Sequence, residues 1–150
     1  MRHAPGQPRA ADGVYRLRAA RKKRPDGALV LQGSEVAFTF IRETLPLLAK
    51  AGIDLEVYYV ASAELFDALP PARQEKAFPP GVAAGAMGIT GFTLPTMHRW
   101  ITGERGRRWT LHPFRKGHFL GSGQAEAVLK EAGLDGRSQL AAIKGFLRGR

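Results

Sequence analysis

The sequence contains no cysteine, which excludes disulfide bonds, thiolate metal sites and a cysteine nucleophile. It has no uninterrupted run of about 18 apolar residues, the length that a membrane-spanning helix needs. Its first residues are charged and proline-rich, unlike a signal peptide. We therefore predict a soluble, cytoplasmic protein with no membrane partner. The 150 residues, 44% of them hydrophobic, suffice for one packed domain.

Histidine is also scarce, and this bears on metal binding and catalysis. The four histidines are His3, His98, His112 and His118. Their spacing matches neither zinc fingers nor metalloproteases, so we predict no metal site. Possible triad partners are Ser34, Ser62, Ser122, Asp54, Glu64 and Asp67. Because no nucleophile elbow or paired-carboxylate spacing supports such a triad, we predict no catalytic residue in this chain.

The formal net charge of +10 is concentrated at the front of the chain. Residues 1–27 carry eight basic and two acidic side chains, a net +6, which leaves a net +4 for the remainder. The basic cluster consists of Arg16, Arg18, Arg21, Lys22, Lys23 and Arg24. Such clusters bind polyanions, yet no helix-turn-helix, ribonucleoprotein motif or base-stacking platform lies nearby. We interpret the cluster as a solvated linker, and nucleic-acid binding stays an alternative.

Residues 28–51 form the unit around which the chain is organised. Four apolar residues run into a short polar stretch, after which the apolar positions follow mostly helical spacing. Gly33 permits a positive φ, Ser34 is a favourable N-cap, and Glu35 places a carboxylate in the first helical turn. Pro46 should kink the helix or end its regular part early. The pattern predicts one β-α step of an α/β sheet.

The remaining chain supplies more strands and short helices. Strands are predicted at residues 13–17, 53–60, 82–89 and 107–114. Helices are predicted near residues 62–66, 72–78, 123–132 and 137–147, and residues 91–102 read as a loop followed by a helix. Ser62 and Ser122 are the expected N-caps of the helices that follow them. We therefore predict an α/β fold, a three-layer α/β/α domain with about five mostly parallel strands. Residues 1–12 read as a disordered or linker-like segment, and residues 13–150 as the domain.

Four stretches carry a family resemblance. They are residues 13–15 with 29–36, residues 60–67 with Pro70 and residues 79–81, residues 119–129, and residues 133–134. In this order and spacing they resemble the C-terminal domain of the transketolase family of thiamine-diphosphate enzymes, over about residues 13–147. Two stretches depart from the family pattern: residues 86–91 contain no carboxylate, and residues 115–118 resemble an insertion.

The resemblance implies thiamine diphosphate and Mg²⁺ for a parent enzyme, and binding of neither by this chain alone. The family holds its metal and diphosphate with a Gly-Asp-Gly segment and a later asparagine, and a glutamate of another domain activates the cofactor. The nearest match here, Leu134-Asp135-Gly136, lacks the first glycine. The resemblance therefore implies that the cofactor is bound by two domains that precede this one in a full-length enzyme, or by a partner chain that carries them.

Two segments are candidates for binding an anion. The residues concerned are Gly33 and Ser34 at the first helix, and Arg115, Lys116, His118 and Ser122 in the late loop. Free N–H groups at helix starts and positive side chains would converge there, and the ends of strands in α/β sheets often hold ligands. Ordinary turn and capping roles are the competing interpretation.

We interpret the chain as a non-catalytic C-terminal domain or subunit of a transketolase-like enzyme that transfers ketol groups between sugar phosphates. It would serve assembly and dimer stability in a homo- or hetero-oligomer. Apolar helix faces around Phe38, Phe40, Trp100 and Phe146 could contribute the docking patch, although we expect most of these side chains to pack in the core. The open alternatives are a piece of a 2-oxoacid dehydrogenase first component, a regulatory module that binds a phosphorylated metabolite, and a basic nucleic-acid-binding protein.

Overall fold

A mixed sheet of four strands forms the centre of the protein. The computed structural model describes residues 10–117 and 120–148. The strands are β1 (Val14–Arg18), β2 (Gly27–Gln32), β3 (Leu55–Val60) and β4 (Ala86–Thr90). Their order across the sheet is β1-β3-β2-β4, with β1 antiparallel to β3 and the other neighbours parallel. This confirms the predicted α/β class.

Short helices connect and flank the strands. They are α1 (Ser34–Thr39), α2 (Leu45–Lys50), α3 (Ala63–Asp67), α4 (Pro71–Ala77), α5 (Pro80–Gly85), α6 (Glu104–Trp109), α7 (Ala125–Ala132) and α8 (Gly136–Leu147). A π-helical turn, Phe40–Thr44, joins α1 to α2, and 3₁₀ turns occur at Ala10–Asp12 and Leu94–Met97. None of the helices in the described residues has the length and apolar character needed to span a bilayer.

Two apolar clusters cover the two faces of the sheet, which gives the predicted three layers. Residues of β2 alternate between them: Leu29 and Leu31 pack against α1, α2 and α8, whereas Val30 packs on the opposite side. That second cluster includes aromatic rings from α3 and from the segments after α4 and β4. Trp100 makes edge-to-face contacts with Phe66 and Phe78, at centroid distances of 5.2 and 5.5 Å.

The strand predicted at residues 107–114 is wrong. Residues Glu104–Trp109 form α6, and only Leu111 pairs with the sheet, through an isolated parallel bridge to Ile89. Gly106 allows α6 to pack against β4 at a distance that no other residue would permit, because a Cβ there would lie 2.0 Å from the Ala86 carbonyl oxygen. The sheet therefore has four strands, where about five were predicted.

The strand predicted at residues 82–89 begins later than expected. Pro80 is the first residue of α5, which runs to Gly85, and β4 starts at Ala86. Proline favours the first helical turn because that turn needs no N–H from it. Within residues 91–102, where a loop and then a helix were predicted, the helical part is only the 3₁₀ turn at Leu94–Met97, with Pro95 in its first turn as expected.

Pro46 was expected to kink the first helix or to end its regular part early, and the early end is confirmed. The regular α-helical part ends at Thr39, and the π turn brings the chain to α2, where Pro46 stands in the first turn. Proline has no N–H to donate to the preceding turn, so a change in the hydrogen-bond pattern just before it accommodates the ring. Within the π turn, the Thr44 hydroxyl donates to Gln139 of α8 at 2.7 Å and joins the two helices.

The described chain begins with structured residues. Asp12, in the first 3₁₀ turn, is buried, and its carboxylate accepts a hydrogen bond from Arg73 at 2.7 Å. Residues 1–9 lie outside the described residues, so the linker-like segment and its boundary with a domain stay predictions.

Candidate functional site

The turn after β2 lies at a switch point of the sheet. The chain passes from β2 to β3 over one face, whereas β4, on the other side of β2, is reached over the opposite face. Open α/β sheets commonly bind ligands at such points, outside the carboxyl ends of the strands. The candidate site is therefore the crevice between the carboxyl ends of β2 and β4.

Gly33 determines the backbone path through this crevice. Its φ is 104°, a value that residues with a side chain rarely adopt. The Gly91 N–H donates to the carbonyl oxygen of Gln32 at 2.9 Å, and a Cβ on Gly33 would lie 3.4 Å from the Gly91 nitrogen. Since 3.4 Å is an ordinary contact distance, the positive φ, and not a lack of space, is what favours glycine at this turn.

A cavity of about 360 Å³ opens beside the turn. Its walls include Gly33, Ser34 and Glu35 from the first turn, Phe92 after β4, Leu120 from the late loop, and Val128, Leu129 and Ala132 from α7. The walls are mostly apolar, and Glu35 is the one charged side chain that the described residues contribute. Such a lining suits an apolar ligand or one that donates hydrogen bonds, and the carboxylate opposes a phosphate group.

A small polar network joins the carboxyl ends of β2 and β4. The hydroxyl groups of Thr90 and Thr96 donate to Gln32 Oε1 at 2.9 and 2.8 Å, and the Phe92 N–H donates to Thr90 Oγ1 at 3.0 Å. These contacts hold the ends of β2 and β4 together. The sequence interpretation missed all three polar side chains, although each of the two strands ends on one of them.

The two predicted anion-binding segments meet at this cavity, but the predicted cations do not. Gly33 and Ser34 line it. The Lys116 ammonium donates to the Glu131 carbonyl oxygen at 2.6 Å, and Arg115 donates to the Arg108 carbonyl oxygen at 3.5 Å. His118 lies outside the described residues. Anion binding at these residues therefore stays a prediction.

Neither predicted serine N-cap at this edge is correct. Gly33 occupies the N-cap position of α1 without a side-chain hydrogen bond, because Ser34 is already helical. Gln124 occupies the N-cap position of α7, and Ser122 is exposed in the loop before it. By contrast, the predicted cap at Ser62 is confirmed, since its hydroxyl accepts the Leu65 N–H at 3.1 Å.

The residues present do not fit thiamine diphosphate and Mg²⁺. A metal-diphosphate clamp needs several hard oxygen ligands, and the described residues contain no group of three or more His, Asp or Glu side chains that could hold a metal ion. The family clamp also uses an asparagine, and this sequence contains none. In the cavity, Glu35 would face the diphosphate with a like charge.

The side chains considered for a triad have other contacts. The Ser62 hydroxyl donates to Glu64 at 2.9 Å, and Asp67 pairs with both guanidinium nitrogens of Arg99. His112 is half-buried, and its Nδ1 has no hydrogen-bond partner among the described residues. Burial, with the charge of Arg115, holds the pKa of His112 below its usual value.

The basic cluster is mostly exposed to solvent as predicted, but it is not a linker: it belongs to the end of β1 and to the loop between β1 and β2, which is anchored to the amino edge of the sheet. Asp54 accepts hydrogen bonds from the Arg21 and Lys22 N–H groups at 2.5 and 2.7 Å and from the Arg18 guanidinium at 2.6 Å. The bond from the Lys22 N–H, followed by the Arg18 and Arg21 contacts, lowers the pKa of Asp54 below its usual value. Asp26 accepts both the Lys22 ammonium at 2.6 Å and the Asp54 N–H at 2.7 Å.

The aromatic residues suggested for docking differ in exposure: three are buried and one is exposed. Phe40, Trp100 and Phe146 are buried in the core. Phe38 is 58% exposed and Ile41 is 47% exposed on the outer face of the α1–α2 segment. Arg42 lies over the Phe38 ring, 5.2 Å from its centroid. We call Phe38, Ile41 and Arg42 the outer helix patch.

One part of each of several solved transketolases has the same fold as this chain. The Campylobacter jejuni enzyme matches with a TM-score of 0.66 and 19% identity, covering 95% of this chain and 20% of that chain. The Leishmania mexicana enzyme has a TM-score of 0.64 and 16% identity, covering 93% and 18% of the two chains. A Pichia stipitis enzyme has a TM-score of 0.61 and 17% identity, with the same coverage. Other structures of the Pichia stipitis enzyme contain sedoheptulose 7-phosphate or fructose 6-phosphate.

These matches confirm, at the level of the fold, the resemblance indicated by the sequence motifs. The chain spans about a fifth of the length of the transketolases that it matches. Neither protein-family models nor curated proteins gave a match.

Proposed function

We propose that this chain is a non-catalytic domain or subunit of a transketolase-like enzyme, corresponding to the C-terminal domain of that family. It docks on the domains or the partner chain that bind thiamine diphosphate and stabilises their assembly. The parent enzyme would transfer ketol groups between sugar phosphates in the cytoplasm. The observation that carries the proposal is the coverage: nearly all of this chain matches about a fifth of a transketolase.

The chemistry of the chain supports a role outside catalysis. Its largely apolar cavity and its lack of asparagine make the family's metal-diphosphate clamp impossible within these residues. The remaining four-fifths of a transketolase chain would have to provide that clamp. A protein with this fold contributes to the reaction through contact with the domains that hold the cofactor.

The outer helix patch is the surface that we assign to this contact. Exposed aromatic and aliphatic side chains with a neighbouring arginine are typical of the energetic centre of a protein interface. Phe38 and Ile41 lie three residues apart on one helical segment, so both can enter a partner's groove together. Because both are exposed, replacing them should leave the core of this protein unchanged.

Co-purification tests the proposal. The tagged chain is recovered from its own cell extract, bound proteins are identified by mass spectrometry, and the eluate is assayed for thiamine-diphosphate-dependent ketol transfer. We expect a chain that carries the cofactor domains, and activity that needs both chains. Recovery of a monomer without such a chain would refute the assembly role.

A matched pair of variants locates the interface. Phe38→Ser with Ile41→Ser should abolish recovery of the cofactor-binding chain. Leu65→Ser serves as the control, because Leu65 is also 51% exposed but lies on α3, at the other face of the sheet. If the control loses the partner as well, the outer helix patch is not the interface.

The cavity at the switch point supports a second candidate, a regulatory module. Its volume of about 360 Å³ lies in the range of small-molecule sites. The chemistry of its wall favours an apolar ligand over a phosphorylated metabolite, since Glu35 is the charged group that the described residues place in it. A thermal-shift screen that compares phosphate esters with uncharged aromatic compounds tests this, and stabilisation by phosphate esters alone would reverse the preference.

A further inference from the structure

The basic loop and the end of α8 form one cationic surface at the amino edge of the sheet. Asp26, Gly52 and Ile53 share the walls of an open groove of about 550 Å³ with Lys144, Leu147 and Arg148. The loop that carries Arg21, Lys22, Lys23 and Arg24 ends at Asp26 and adjoins this groove. Two segments that are far apart in the sequence therefore meet at this groove: the basic loop through Asp26 and the contact of Lys22 with Gly52, and α8 through Lys144 and Arg148.

The carboxylates of this edge are matched by other cations. Asp54 pairs with Arg18 at 2.6 Å, Asp26 pairs with Lys22 at 2.6 Å, and Glu56 lies 3.6 Å from Arg16. Five cations are left over: Arg21, Lys23, Arg24, Lys144 and Arg148. Within the described residues, no ion pair joins any of these five to a carboxylate. The surface therefore keeps a net positive charge after its internal pairs are counted.

The loop presents these charges from a fixed backbone. The N–H groups of Arg21 and Lys22 donate to Asp54, and the Ala20 N–H donates to Glu56 at 3.1 Å. The Lys22 ammonium also donates to the Gly52 carbonyl oxygen at 2.9 Å, next to the groove. Binding a polyanion would consequently require little ordering of the loop backbone, which lowers its entropic cost.

We propose that this surface binds the phosphate backbone of nucleic acid without reading the bases. The exposed large hydrophobic side chains of the described residues are Phe38, Ile41, Leu65, Phe92 and Phe114. They lie outside the basic loop and the end of α8, so among the described residues this surface has no aromatic platform for base stacking. The apolar residues of its groove, Ile53 and Leu147, are partly buried against the core, so neither projects as an anchor for a protein partner. The positive charges are therefore the main feature through which this surface can bind a partner. A regular row of phosphates complements them. The inference is independent of the proposed function.

The dependence of binding affinity on salt concentration makes the proposal quantitative. Binding through five phosphate contacts predicts a slope of roughly −4.5 for the logarithm of affinity against the logarithm of salt concentration. Affinity for a 20-base-pair duplex of arbitrary sequence should then fall about 500-fold between about 50 and 200 mM salt. Changing the sequence should not alter it, and the duplex should bind more tightly than a single strand because its charge density is higher.

The experiment is fluorescence anisotropy on the full chain with that labelled duplex. The variant Lys23→Gln, Arg24→Gln, Lys144→Gln and Arg148→Gln should reduce the slope to roughly −1, about 0.9 for each charge removed. Lys22 is left in place because it holds the loop. Circular dichroism and thermal unfolding verify that the variant remains folded.

The matched control removes the same number of charges elsewhere. Lys76→Gln, Arg108→Gln, Lys130→Gln and Arg137→Gln alter exposed cations on α4, α6, α7 and the first turn of α8, and we expect the slope of the unmodified protein. Equal loss in both variants would show a response to net charge and overturn the surface. Equal affinity for a polyglutamate peptide would assign it to an acidic protein, and displacement of the duplex by micromolar pyrophosphate would assign it to a small anion. Absence of binding at low salt would also overturn the proposal.

Discussion

The two edges of the sheet use charge in opposite ways. At the amino edge, Asp54 and Asp26 accept backbone and side-chain hydrogen bonds and fix a strongly basic loop. At the carboxyl edge, the cations Arg115 and Lys116 donate to carbonyl oxygens, and the cavity is apolar apart from Glu35. The comparison shows that a cation's role depends on which acceptor the fold supplies, and a count of charges along the sequence does not contain this information.

The largest expected effect on stability comes from removing the Asp54 carboxylate at the amino edge of the sheet. Asp54→Asn removes a carboxylate whose side chain is 10% exposed and leaves Arg18 without its partner. Because charge-assisted hydrogen bonds are lost together, we expect the free energy of unfolding to fall by about 3 kcal/mol. Urea denaturation measures it. Asp67→Asn is the control, since the exposed Asp67–Arg99 pair should matter much less.

The same residue should give a characteristic acid response. The pKa of Asp54 is lower in the folded state, so its stabilisation is present above the usual carboxyl pKa of about 3.9 and is lost as the pH falls through the folded-state pKa. Unfolding followed from pH 6 to pH 2 should show a steeper loss for the unmodified protein than for Asp54→Asn. Parallel curves would mean that the Asp54 carboxylate does not stabilise the fold.

A smaller effect is expected at the carboxyl edge. Gly33→Ala places a side chain at a φ of 104°, which should cost about 1–2 kcal/mol of stability through backbone strain. Gly81→Ala is the matched control, because Gly81 lies in α5 with open space around its Cβ position. That change should stabilise the protein by about 0.5 kcal/mol. A harmless Gly33→Ala would contradict the role assigned to this turn.

The smallest effect concerns His112. Burial and then Arg115 lower its pKa in the folded state, so the unfolded chain takes up the proton first as the pH falls through about 6.5. Stability should therefore decline slightly between pH 7 and pH 5, and His112→Gln should remove part of that decline. The exposed His98→Gln is the comparison variant. Thermal unfolding at closely spaced pH values has the required sensitivity.

Local patterns predicted the organising unit well. The apolar run of β2, the glycine turn and the helical spacing after it identified the β2–α1 step, and Gly33 and Ser34 do line the cavity. These features depend on neighbours in the sequence. The predicted three-layer arrangement is also confirmed, because the side chains of β2 point alternately into two apolar clusters on the two faces of the sheet.

Long-range contacts account for most errors. The α6 helix depends on a close approach to β4 at Gly106 and on Arg105, which donates to the Phe146 carbonyl oxygen of α8 at 2.6 Å. Neither contact is visible as a local pattern. The Gln32–Thr90–Thr96 network was missed for the same reason, because single polar residues at strand ends acquire meaning only when the strands are neighbours.

A titration of activity tests the central claim, docking on a cofactor-binding chain, most directly. The partner chain, freed of this protein, is assayed for thiamine-diphosphate-dependent ketol transfer while this protein is added in steps. We predict that activity rises to a plateau at an equimolar ratio, and that the Phe38→Ser, Ile41→Ser variant fails to raise it where Leu65→Ser succeeds. Activity that is unchanged by the added chain would contradict the account.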